Sequence, residues 1–184
     1  MADSDSMFVR PFGVSNFKVD DEVRLYRRHG VIGVDPQNEA DHVAWTRNAA
    51  SALGLPEPSF PADDYINNLV SWRRDRALAL VARIEALSGM QFVQALGRLG
   101  AFSEYQLYGA FASGPAAMSG HFASADALSH TYWNGGALDR DGMRAFVDQL
   151  QPHQIALCVQ SFTRTPVELM RGLFKASADA AVHT

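Results

Sequence analysis

Two apolar periods alternate along the chain, and they divide it into helices and strands. Leu80, Ile84 and Leu87 fall at i, i+4 and i+7 with Val81 beside them, while Arg83 and Glu85 lie away from the stripe. That spacing predicts an amphipathic helix over residues 75–87. Gly89 separates it from a second helical piece, 91–99, carrying Phe92, Val93, Leu96 and Leu99. An earlier helix can start at Asn38 or Asp41 and run to Leu53 with Val43, Ala44 and Ala50 on one face; Gly54 ends it, and Pro56 and Pro58 keep it from resuming. Ser103 and Gln106 form a capping-box pattern that predicts a helix from Glu104. Asp139 can cap a helix through Leu150, stopped by Pro152. Thr165-Pro166-Val167-Glu168 combines a cap, a first-turn proline and a capping-box glutamate, which predicts a last helix from Pro166 to about Ala176.

Strand-length patterns sit between these helices. Residues 23–26 alternate apolar and polar side chains, and Val31-Ile32 comes after the turn-like run 27–30. Residues 65–72 read as a strand ending on the cluster Arg73-Arg74-Asp75-Arg76, and 155–159 is an apolar run of strand length. Met7-Phe8-Val9 is a short apolar run closed by Pro11-Phe12-Gly13. The mixture predicts an α/β domain with a mixed sheet and flanking helices over residues 1–176, and then a frayed tail at 177–184.

Composition narrows the class. With 184 residues, 47% of them apolar and 20% charged, the chain suits one soluble globular domain. A formal net charge of -4 leaves no broad basic field for nucleic acid. The single cysteine, Cys158, rules out an intramolecular disulfide framework and a multi-thiolate zinc site, and it suits a reducing cytoplasm. There is no tripartite signal segment and no run of about eighteen apolar residues, so the expectation is a soluble cytoplasmic protein without a transmembrane segment. No internal repeat, low-complexity block or interdomain linker is visible.

Candidate chemistry starts at the first residues. If Asp3-Ser4-Asp5 is extended, the period of two puts both carboxylates on one side, where they could share Mg²⁺ or Mn²⁺, with phosphate oxygens completing the coordination. The same tripeptide could be a solvated acidic terminus, and Asp-x-Asp recurs at Asp139-Arg140-Asp141. Glu104 stands at the positive end of its helix, which favours the ionised form and so a proton acceptor; it could equally be a first-turn glutamate that only stabilises the helix. His121 and His130 are flanked by aromatic residues and could ligate a transition metal or sit hydrogen-bonded in the interior.

Several motifs in a fixed order go further than any of these singly: Asp3-Ser4-Asp5, then Phe60-Pro-Ala-Asp-Asp-Tyr65 leading into Asn67-Asn68-Leu-Val-Ser-Trp-Arg73, then Phe102-Ser-Glu-Tyr105 with Leu107-Tyr-Gly109, then His130-Thr-Tyr-Trp133. In this order the chain resembles a family of bacterial glycosyltransferase-like proteins of GT-A type, most of whose members are known only as a domain of unknown function. The resemblance implies a metal-dependent transfer of sugar from a nucleotide sugar to the hydroxyl of a glycan or small-molecule acceptor. It implies Asp3, Asp5 and His130 as ligands of a divalent cation, Mn²⁺ or Mg²⁺, and Glu104 as the base that deprotonates the acceptor. Asp63, Asp64 and Tyr65 would correspond to the region that meets donor sugar or acceptor.

The chain would then correspond to the C-terminal portion of such a domain, with the nucleotide-binding N-terminal half missing. That implies an N-terminally truncated form, and apolar surface left bare around residues 7–9 and 66–70. Two other classes stay open: a non-catalytic binding or assembly remnant, and a metal-dependent phosphoesterase using Asp3, Asp5 and His130. The transferase reading requires Asp3 or Asp5, His130 and Glu104 to converge on one cleft.

Overall fold

The computed structural model describes residues 5–35, 37–114 and 120–172. Among the described residues it is a mixed α/β arrangement of three small sheets and six α-helices. The strands are β1 (Ser6–Phe8), β2 (Lys18–Val19), β3 (Glu22–Tyr26), β4 (Arg28–Ile32), β5 (Ala62–Asp64), β6 (His121–Ser124), β7 (Ser129–Tyr132) and β8 (Ala156–Val159). Helices α1 (Ala40–Leu53), α2 (Arg74–Ser88), α3 (Phe92–Leu99), α4 (Glu104–Ala112) and α5 (Arg140–Asp148) alternate with them, and residues 167–172 form α6.

One sheet has the order β1-β8-β7, with β1 antiparallel to β8 and β7 parallel to it. A second has the order β2-β3-β6, in which β3 and β6 are parallel, and β4 pairs with β5 to make the third. Helices α1 to α4 pack together around Ala49, Leu53, Leu80, Ile84, Ala95, Leu107 and Tyr108, with Leu25 of β3 closing this core. On the other side, α5 and α6 set Met143, Phe146 and Met170 against Leu157 and Val159 of β8, and Met7, Val9 and Tyr132 join them. The helix ends agree with the sequence signals. Gly54 (φ 63°) and Gly89 (φ 66°) adopt the left-handed conformation that closes α1 and α2, and Asp139 accepts the Gly142 N–H at 2.8 Å to cap α5.

The segment 65–72 departs from the strand expected of it. It is extended and largely buried, with Tyr65, Asn67, Asn68, Leu69 and Val70 all inside, but it joins no ladder beyond an isolated bridge at Leu69. Side chains take the place of a neighbouring strand. Tyr65 N–H donates to Gln106 Oε1 at 3.3 Å, Ile66 N–H to Asp64 Oδ1 at 2.9 Å, Leu69 N–H to Asn67 Oδ1 at 3.1 Å and Arg73 N–H to the Tyr108 hydroxyl at 2.8 Å. Buried backbone donors must be paired, and here the pairing is local or comes from α4. Leu69 and Val70 are therefore covered, and the bare apolar surface expected at 66–70 is absent there.

Two further local expectations change in detail. Ser103 Oγ accepts the Gln106 N–H at 3.4 Å, but the Gln106 side chain turns inward to Thr46 and to the backbone of Asp63 and Tyr65, so only half of the capping box forms. The Thr165 hydroxyl accepts the Leu138 N–H at 3.0 Å and bonds Thr163 Oγ1 at 2.9 Å, tying the start of α6 to the approach to α5. Among the described residues no helix is long and apolar enough to cross a membrane.

Candidate functional site

A cleft of about 760 Å³ opens beside the buried segment 65–72. Helix α1 contributes Asp41, His42 and Trp45; β3, β4 and β5 contribute Tyr26, Arg28 and Asp64; and Ile66 and Asn67 come from the buried segment. Strand β7 and its exit supply Ser129, His130, Thr131, Trp133 and Asn134, while Gln154, Gln160 and Phe162 come from the flanks of β8. An adjoining recess of about 420 Å³ shares Arg28, Asp41, His42, Trp45, Asp64 and Asn134, and extends to Glu39. Large aromatic surfaces, amides, hydroxyls and carboxylates thus meet in one concavity, the pattern of a small-molecule site.

Strand alternation decides what the two adjacent aspartates do. Side chains of consecutive strand residues point to opposite faces. Asp63 is taken up by its own surroundings: Arg27 Nε donates to Oδ2 at 2.6 Å, and the His29 ring and the Gly30 N–H meet Oδ1 at 2.7 and 3.0 Å. Burial works to raise its pKa, but the Gly30 N–H and the Arg27 guanidinium overcome that and hold the carboxyl below its ordinary range. Asp64, 8% exposed, lines the cleft instead. Its Oδ1 accepts the Ile66 N–H at 2.9 Å, and no described residue hydrogen-bonds its other oxygen. Burial pushes the Asp64 carboxyl above the ordinary range, opposed by the Ile66 N–H, His42 and Arg28 and reinforced by Glu39. Burial, and then the Asp64 charge, likewise raise the Tyr26 phenol.

The floor of the cleft is a connected polar network. Ser129 Oγ and Thr131 Oγ1 lie 3.2 Å apart, Asn68 Nδ2 donates to Thr131 Oγ1 at 3.3 Å, and Gln160 Nε2 reaches Asn68 Oδ1 at 3.5 Å. On the rim, the His42 and Trp45 rings stand 5.0 Å apart, tilted by 30°.

Of the described residues expected from sequence, Asp64 and His130 line this cleft, and Asp5, Asp63, Tyr65 and Glu104 do not. The ring of His130 stacks on Phe146 of α5 at 4.3 Å, and its buried Nε2 has no hydrogen-bond partner among the described residues. Burial lowers its pKa, partly opposed by the Phe146 backbone. Its neighbours Ser129 and Thr131 carry the hydroxyls of the opposite face. Glu104 is exposed at the first position of α4. Tyr65 is buried in the helical core with its hydroxyl 2.8 Å from Ser113 Oγ, and burial raises its pKa. Asp5 Oδ2 accepts the Ser161 N–H at 2.9 Å, and Asp3 lies outside the described residues. His121 is buried, with Nε2 2.8 Å from the Tyr108 hydroxyl. Among the described residues no three His, Cys, Asp or Glu side chains are grouped to hold a metal ion.

A family model matches residues 1–175, nearly the whole chain. The chain belongs to the family of unknown function DUF6492. No curated protein and no solved structure matches it. The domain-of-unknown-function part of the resemblance is thereby shown. The cleft residues that sequence reasoning missed include Tyr26, Arg28, Asp41, His42, Trp45, Gln154 and Gln160. The available signal was in α1, where His42 and Trp45 stand at i, i+3 beside Asp41 in a helix otherwise rich in alanine.

Proposed function

We propose that the chain transfers a sugar from a nucleotide sugar to an acceptor hydroxyl, with the acceptor seated in the cleft beside Asp64. The observation that carries this reading is a buried carboxyl opening on a cleft of aromatic rings, amides and hydroxyls. Aromatic faces such as Trp45 and Trp133 suit the apolar faces of sugar rings, and Asn67, Thr131 and Gln160 offer the donors and acceptors that hydroxyl groups need. A carboxylate whose pKa is raised by burial is a stronger base than a solvated one, and general base catalysis is most effective when that value moves toward the working pH.

The base role therefore falls to Asp64 rather than to the exposed Glu104. As the acceptor oxygen bonds to the anomeric carbon, Asp64 takes its proton. The bond from that carbon to the phosphate oxygen breaks, and the nucleoside diphosphate leaves with the electron pair. Of the expected cation set, His130 lines the cleft and Asp5 does not, and no three His, Cys, Asp or Glu side chains are grouped among the described residues, so the described residues do not fit a bound cation by themselves and no step runs through one.

The test is turnover. The purified chain is incubated with a panel of nucleotide sugars and hydroxyl acceptors, with and without Mn²⁺, and nucleoside diphosphate and coupled product are measured. Asp64→Asn should slow product formation by about 100-fold or more, the range for removing a general base. Full turnover by that variant would remove Asp64 from the mechanism. Sugar binding with no diphosphate release from any donor would favour a binding protein, and hydrolysis of phosphate esters alone would favour a phosphoesterase.

A further inference from the structure

The ladder between β4 and β5 is interrupted where the two adjacent aspartates stand. Arg28 pairs with Asp64 and Ile32 with Ala62, so His29, Gly30 and Val31 of β4 bulge opposite the single residue Asp63. Gly30 takes a left-handed φ of 64° in this bulge, a conformation that glycine adopts at no steric cost. The Asp63 carboxylate fills the bulge. It accepts the Gly30 N–H at 3.0 Å, meets the His29 ring at 2.7 Å, and accepts Nε of Arg27, just before β4, at 2.6 Å. Strand β5 is held independently by Gln106 of α4, which bonds the Asp63 carbonyl and the Tyr65 N–H. What the carboxylate fixes is therefore the place of β4.

On the reading of Asp64 as the base, we propose that Asp63 is its positioning residue: the Asp63 carboxylate locks the β4 bulge and so keeps Arg28 beside Asp64 on the cleft face. Residues directly opposite across a ladder share a face, and Arg28 and Asp64 both line the cleft. The Arg28 charge works against burial at Asp64 and keeps more of its carboxyl ionised, the form in which a base takes a proton. A bulge that has lost its filling side chain can migrate along the strand, and a shift of one residue turns every side chain to the other face. Arg28 would then leave the cleft. The other charged and titratable groups that share the cleft or its recess with Asp64 are Tyr26 of β3, Asp41 and His42 of α1, Glu39 just before α1, and His130 of β7. None of them belongs to β4, so a shift of that strand moves Arg28 alone among them.

The experiment labels aspartate carboxyls isotopically and follows Asp64 through a pH titration of the full chain by NMR, its signal assigned by its absence from Asp64→Asn. Asp63→Ala should move the Asp64 titration to higher pH. The sign separates two causes, because removing a neighbouring negative charge alone would move it to lower pH, whereas losing Arg28 moves it to higher pH. Arg28→Gln should also move it up, and Asp63→Ala added to Arg28→Gln should move it no further up, because the same contact is already gone. On the acid limb of the kcat profile, Asp63→Ala should slow transfer by about tenfold with KM little changed. Where Asp63→Ala gives no cooperative melt, Asp63→Asn is read for the same upward shift, since it keeps an oxygen for the Gly30 N–H but gives up the charge that holds Arg27. A titration that stays in place or moves down, or a further rise in the double variant, would overturn the positioning role and leave the transferase reading standing. A wild-type chain that turns over no donor would overturn the transferase reading, while the titration would still decide what Asp63 does.

Discussion

At the scale of single residues, burial acts on two titratable groups of the cleft region in ways that stability can report. The folded state holds the Asp64 pKa above its ordinary 3.8, so folding binds protons there: the group's contribution is fully present below pH 3.8 and is lost as pH rises through the folded value. At neutral pH the ionised Asp64 is therefore a cost to folding. Asp64→Asn keeps an oxygen to accept the Ile66 N–H and should raise Tm near neutral pH, with little gain below about pH 3.5, while slowing turnover by about 100-fold or more. His130 has the opposite sense in pH. Its folded pKa lies below 6.5, so the unfolded chain binds more protons, and stability falls as pH drops from about 6.5 through the folded value. His130→Phe keeps a ring against Phe146 and should flatten that part of the pH profile in urea denaturation. A profile unchanged by the substitution would mean that other groups carry it.

At the scale of elements, α4 shows how packing overrides propensity. Gly109 lies inside this helix, where alanine would be favoured by about 1 kcal/mol. A Cβ there would come within 2.0 Å of Tyr65 Cγ, and Tyr65 is locked in the core. Gly109→Ala should thus destabilise the chain by about 3 kcal/mol, the upper part of the overpacking range, in chemical denaturation. A neutral or stabilising effect would show that Tyr65 can move. The two helix caps separate by geometry. Asp139 accepts its bond at 2.8 Å and Ser103 at 3.4 Å, so Asp139→Ala should cost about 1 kcal/mol as a cap and Ser103→Ala less through this bond. Helices α1 to α5 were legible in the sequence because periodicity and end signals agree there. The strand expected at 65–72 was not: its apolar residues are buried as expected, but the partners of its backbone donors are side chains of α4, of the segment itself and of Asp64 at the end of β5.

For the whole molecule, the cleft is held in shape by contacts between segments far apart in the chain. Gln106 of α4, 1% exposed, donates to Thr46 Oγ1 of α1 at 3.1 Å and to the Asp63 carbonyl at 2.8 Å, and accepts the Tyr65 N–H. It thereby joins two helices to the strand that carries Asp64. Gln106→Ala would leave several buried polar groups unpaired, so it should destabilise by about 2–4 kcal/mol and weaken ligand binding in the cleft. If stability and binding are both unchanged, the junction does not position Asp64.

The sequence by itself determined the α/β class, most of the helix boundaries and two residues of the cleft in motifs, Asp64 within the run 60–65 and His130 within 130–133. These are local properties: caps, turns and periods act over a few residues, and they persist whatever the chain packs against. Tertiary structure alone decided which of two adjacent aspartates is neutralised by Arg27 and which opens on the cleft, because the answer depends on which neighbours each face of β5 meets. It also brought Asp41, His42 and Trp45 of α1 opposite Trp133 and Gln160, and left Glu104 outside the lining. Burial and electrostatics at the site are sums over those distant neighbours, and a sequence motif does not record them.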